Sequence, residues 1–162
     1  MKHTLEVTTP SDLEIVMTRE FDAPRHLVWE AMTKPELIRR WLYAPEGWTM
    51  TVCEGDAKVG GTFRWAWNGP DGKPALAISG VNREVVPPEK IVHTESMAMG
   101  DGVPLGELLA TVNLTEHGGK TTLRMTLLFP SKEARDGAIA SGMARGVAAG
   151  YDRLDAMLAA MS

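Results

Sequence analysis

Cysteine is nearly absent. Cys53 is the only one in 162 residues, so no internal disulfide can form and a multi-cysteine metal cluster is excluded. An excess of positive charge is missing too. Seventeen Lys and Arg against 21 Asp and Glu leave a formal charge of −4, the wrong balance for gripping nucleic-acid phosphates. No stretch approaches the ~20 apolar residues of a membrane span, and the opening MKHTLEVTTPSDLE lacks the apolar centre of a secretory leader. A cytoplasmic protein without nucleic-acid or membrane partners is the expectation.

Catalytic signatures are equally scarce. Neither H-x-x-x-H nor C-x-x-C occurs, so no metal and no other cofactor is expected. The glycine-rich stretch GDAKVGG has neither of the two phosphate-binding glycine spacings, and Cys53 has no flanking histidine or nucleophile elbow. Cys53 reads as a small wall residue.

What is present is an ordinary globular composition, 44% hydrophobic and 23% charged, in a chain long enough to bury roughly 70% of its unfolded surface. Ten methionines suit irregular apolar interiors. Residues 1–11 are polar and are expected to be a flexible N-terminus, leaving one domain over 12–162. From Leu13, alternation through Ile15, Met17, Arg19 and Phe21 predicts a strand. Asp22 is placed to cap the following helix and Pro24 to fill its first turn. A second short helix is expected from Pro35 to Leu42.

Strand patterns follow in WTMTVCEGD, GTFRWAWN, PALAISGVNREVV, EKIVHTESMA, ELLATVNLT and KTTLRMTLLF, the last two forming a hairpin around EHGG. After Pro130 the period becomes helical. Met143, Val147, Tyr151, Leu154, Leu158 and Met161 form one apolar stripe on a terminal helix of about 30 Å. Gly142, Gly146 and Gly150 sit within that predicted helix, where each costs about 1 kcal/mol relative to alanine, so either another backbone approaches closely there or the strip leaves space for a ligand. The predicted fold is α+β: an antiparallel sheet of six or seven strands curved around the C-terminal helix, with two short helices after the first strand.

The ordered motifs REFDAP…VWEAMTKPELIRRW, CEGDAKVGGTFRW, GVNREVVPPEKIV, GGKTTLRMTLLF and GM…G…YDRLDAML carry a resemblance over about residues 12–161. The chain resembles the bacterial family similar to activator of heat-shock protein 90 ATPase, within the SRPBCC helix-grip superfamily of START and plant-allergen-like domains. That resemblance implies a hydrophobic cavity between sheet and long helix. Relative to the family, Val147 and Asn82 stand where larger rings are common, so the cavity is either enlarged or refilled by Trp65 and Trp67.

The resulting expectation is a protein that holds a small, largely hydrophobic molecule, as carrier, sequestering agent or sensor. Its predicted walls are Trp65, Trp67, Ile78, Val112, Leu123, Met125, Met143, Val147, Tyr151 and Leu154, with Asn82 and the Tyr151 hydroxyl orienting the guest's polar group. His93, inside a strand beside Glu95, is the one candidate base for the alternative of an enzyme acting on an aromatic or polyketide-like substrate. A chaperone-associated interaction module is the third reading, and a monomer or homodimer fits all three. Trp29 and Trp41 are expected to fasten the two short helices rather than touch a guest.

Overall fold

A computed structural model describes residues 3–42 and 44–161, with backbone only at 104 and 105. Eight strands form a single antiparallel sheet: β1 (Glu6–Thr8), β2 (Glu14–Phe21), β3 (Thr49–Gly55), β4 (Thr62–Asn68), β5 (Pro74–Val86), β6 (Lys90–Met99), β7 (Pro104–His117) and β8 (Lys120–Leu128). Their spatial order is β1-β2-β8-β7-β6-β5-β4-β3. Two short helices, α1 (Arg25–Thr33) and α2 (Pro35–Trp41), follow β2, while α3 (Lys132–Ala140) and α4 (Met143–Met161) end the chain. No helix among the described residues is long and apolar enough to cross a membrane.

The strand beyond the expected six or seven lies inside the supposedly loose N-terminus. Glu6, Val7 and Thr8 pair with Thr18, Met17 and Val16 of β2. They are held by backbone pairing along a sheet edge, not by burial of their own side chains, all three of which are exposed. β7 begins at Pro104, three residues before the expected ELLATVNLT run. Gly118 and Gly119, both at positive φ, make the two-residue turn of the β7–β8 hairpin.

Asp22 does not cap α1. Pro24 occupies the cap position without a side-chain bond, and the Asp22 carboxylate faces His3 and Lys120 instead. The terminal helical region is divided more sharply than its periodicity suggests. Gly142, at φ 75°, takes the left-handed conformation that ends α3, so it separates two helices instead of lying inside one. Ser131 caps the start of α3 by accepting a bond from the Ala134 N–H.

Strand register sets the inner face. Ile15, Leu127, Ala110, His93 and Asn82 are successive partners across five strands. The next row contains Met17, Met125, Val112 and Ile91. Against the β2–β8–β7 part of this face, Tyr151, Leu154, Met157 and Leu158 of α4 share a buried cluster with Phe21, Val112, Leu114 and Leu123. Burying one such leucine contributes roughly 1.5–3 kcal/mol.

Arg19 fixes the helix over β2. It is 2% exposed, and its guanidinium donates to the Glu20 carbonyl and, at 3.1 Å, to Asp152 of α4. Asp155 lies 3.6 Å away, and the Phe21 ring centroid lies 5.0 Å from the guanidinium carbon. A buried arginine is tolerated only when its donors and charge are met in this way. Arg19→Ala should therefore lower stability by roughly 2–4 kcal/mol, whereas Arg19→Met, which keeps the apolar stem, should cost less. Urea unfolding midpoints of the two variants check this ordering.

Candidate functional site

The sheet is wider than α4, and between its β4–β6 half and the helix lies a cavity of about 330 Å³. Phe63, Trp65 and Trp67 project into its wall from alternate positions of β4. β6 contributes Ile91, His93, Glu95 and Met97 by the same alternation. The helical side consists of Met143, Gly146, Val147, Gly150 and Tyr151. One end is closed by Trp29, Met32, Ile38 and Trp41 of α1 and α2, and by Trp48 just before β3. All five tryptophans of the chain thus border one space.

Nine of the eleven predicted wall residues border this cavity: Trp65, Trp67, Ile78, Asn82, Val112, Met125, Met143, Val147 and Tyr151. Leu123 and Leu154 do not. Both are 0% exposed in the core between β8 and α4, because periodicity assigns them the correct face without showing that helix and sheet close on each other there. Cys53 is also absent from the wall. It is buried, and its thiol donates to the Pro35 carbonyl over 3.4 Å. Burial pushes this thiol above its ordinary value.

Trp29 and Trp41 depart from expectation in the other direction. Trp41 does fasten the helix pair, donating from Nε1 to the Ala31 carbonyl at 2.8 Å, yet its ring also borders the cavity. Gly146 and Gly150 border it as well, so the missing side chains leave space on the helix. Close approach occurs elsewhere, at Gly80 among other glycines. A Cβ there would meet the Thr94 carbonyl and the Phe63 ring.

The polar groups divide into two sets. Asn82 and Tyr151 are already occupied: the Asn82 amide donates to the Asp56 carbonyl at 2.9 Å, and the Tyr151 hydroxyl to the Met125 sulfur at 3.9 Å. The Asn82 backbone also exchanges bonds with Gly60 and Gly61, so this residue ties the β3–β4 connection to β5. His93 and Glu95 form the second set, with Nε2 and Oε1 3.2 Å apart and side chains 13% and 18% exposed. The His93 ring meets Phe63 edge-on at 5.0 Å. Trp65 Nε1 is buried and has no hydrogen-bond partner among the described residues.

Away from this cavity, His3, Glu20 and Asp22 bring ligand-type atoms within 4.8 Å of one another. Lys120 places its ammonium 3.5 Å from Asp22 and 4.0 Å from Glu20. The hydrogen bond from His3, followed by the charges of His3 and Lys120, holds the Asp22 carboxyl below its ordinary value. Lys120 offsets part of the carboxylate charge along this N-terminal edge.

Residues 22–159 match the family described as Activator of Hsp90 ATPase homolog 1-like protein. A crystal structure of a Rhodobacter sphaeroides protein is similar, with 34% identity and a TM-score of 0.86 over 98% of this chain and 99% of that one. A Mycobacterium smegmatis protein shares 25% identity at a TM-score of 0.83, covering 99% and 100% of the two chains. A Silicibacter pomeroyi protein, 17% identical with a TM-score of 0.72 over 92% and 99%, shares the fold. No curated protein matches.

Tyr151 yields a pH prediction. Burial, and secondarily the negative charge of Glu95, push its hydroxyl well above the ordinary tyrosine value of 10.0. The folded protein therefore keeps this proton at pH values where the unfolded chain releases it. The group's contribution to stability should be constant below about pH 10 and should fall as pH rises beyond it. Urea midpoints measured across that range should decline less steeply for Tyr151→Phe than for the parent.

Proposed function

The chain belongs to the Activator of Hsp90 ATPase homolog 1-like family, and on that premise we propose that it binds a small, largely hydrophobic molecule in the cavity between sheet and α4. The observation that carries this reading is the convergence of all five tryptophans on one space of about 330 Å³. Rings placed in a wall without filling the space behind it leave apolar surface for a guest to cover. That volume suits a compact molecule of one or two fused rings, or a short folded chain. The role is carriage, sequestration or sensing.

A catalytic reading has one observation in its favour, the His93–Glu95 contact, in which the carboxylate can orient the imidazole as a base. A serine or threonine nucleophile is not among the groups bonded to that ring. The chaperone-associated reading draws on exposed apolar surface of the outer helices. Among the described residues, the large exposed apolar side chains lie on strands and loops, with Ile139 on α3, and none on α1 or α2. Binding is the reading that the geometry supports best.

Native mass spectrometry of freshly purified protein should show a co-purifying small molecule or, after its removal, uptake of an apolar fluorescent probe. Val147→Trp should fill the space facing β4 and β6 and weaken probe binding about tenfold or more, a loss of at least ~1.4 kcal/mol. Its unfolding midpoint should stay near that of the parent, since the ring enters a void. A parent protein that carries nothing and takes up no apolar probe would rule the reading out.

A further inference from the structure

We propose that the guest is a cation: a compact hydrophobic molecule carrying an ammonium or other positively charged nitrogen, seated among the tryptophan rings with its charge towards Glu95. This rests on the cavity being a binding site and adds the sign of the ligand's charge.

Alternation along β6 places Glu95 on the wall between His93 and Met97. Its side chain is 18% exposed, and His93 is its hydrogen-bond partner. With the imidazole neutral, that pair carries one negative charge. Lys and Arg are absent from the described residues that border the cavity. Glu54 and Asp56 also border it but lie exposed towards the β3–β4 connection, where Lys58 pairs with Asp56 at 3.2 Å. The carboxylate of Glu95 therefore faces a largely apolar space without a protein cation inside it. Its charge reaches the opposite wall, where it raises the Tyr151 hydroxyl.

Two physical effects then favour the same sign. A carboxylate taken partly out of water is stabilised by any positive charge that enters with the guest. The electron-rich faces of indole rings attract cations by ~0.5–2 kcal/mol, more when water is excluded. An anionic guest of the same size would meet the rings and the carboxylate with nothing to offset either.

The test uses the full chain, by titration calorimetry at about pH 8, above the usual histidine range. Three probes share one ring system: naphthylmethyl-trimethylammonium, neutral naphthalenemethanol and anionic naphthylacetate. The cation should bind about tenfold or more tighter than the neutral probe, and the anion weakest. In Glu95→Gln the cation should lose most of its advantage over the neutral probe, and a cooperative urea transition reports that the variant is folded. Equal binding of cation and neutral probe, tighter binding of the anion, or a preference that survives Glu95→Gln would overturn the charge assignment and leave the cavity reading standing. Failure of all three probes to bind would overturn both.

Discussion

A single helix cannot cover this sheet, and most of the molecule follows from that mismatch. Eight strands at ~4.8 Å spacing make a surface about 34 Å across, whereas a helix with its side chains is about 10–12 Å wide. The helix α4 seals the part it reaches, β2, β8 and the later half of β7, through Phe21, Val112, Leu123, Leu154 and Leu158. Arg19 reinforces that seam from the strand side through Asp152. The remaining inner face carries large rings beside Leu76, Ile78 and Ile91, and α1 and α2 close the end.

The interior polar groups then acquire different standing. Asn82 and Tyr151 each use a donor on the wall itself, on the Asp56 carbonyl and the Met125 sulfur, while the amide oxygen and the phenol oxygen can still accept. His93 and Glu95 satisfy mainly each other. A pair of that kind can remain in an apolar wall because each partner supplies the other's bond, while the carboxylate retains acceptor positions open to a third group. The distinction between occupied and available polar groups is not visible in residue type. It depends on which loop crosses which strand end.

Much of the fold was legible because its period is simple. Alternation locates every long strand, and Trp65, Trp67, Ile78 and Met125, the cavity walls that the resemblance implies, do border the cavity. The stripe from Met143 to Met161 identified the covering helix. Where the reading failed, the cause was depth or pairing, not face. Leu123 and Leu154 share a face with the cavity residues but lie where helix and sheet touch. Trp29 and Trp41 read as anchors alone, because a helical period cannot show that one ring edge reaches past the contact into open space. β1 is a strand only because β2 offers an edge to pair with, and three exposed residues leave no hydrophobic trace of that. Glu95 reads as a neighbour of His93, but that no Lys or Arg among the described residues borders its side of the cavity depends on five other strands.

Gly146 and Gly150 give the helix a notch on its cavity side. Alanine at both would return up to ~2 kcal/mol of helix propensity, so the notch is retained at some cost in stability. Because it borders empty space and not the Phe21–Leu154 seam, changes there can resize the chamber without disturbing the contacts that hold the molecule together. Chamber size and structural integrity thus depend on largely different positions of one helix. In evolutionary terms, a lineage could reshape the chamber by substitutions at a few adjacent positions, with the fold itself left intact.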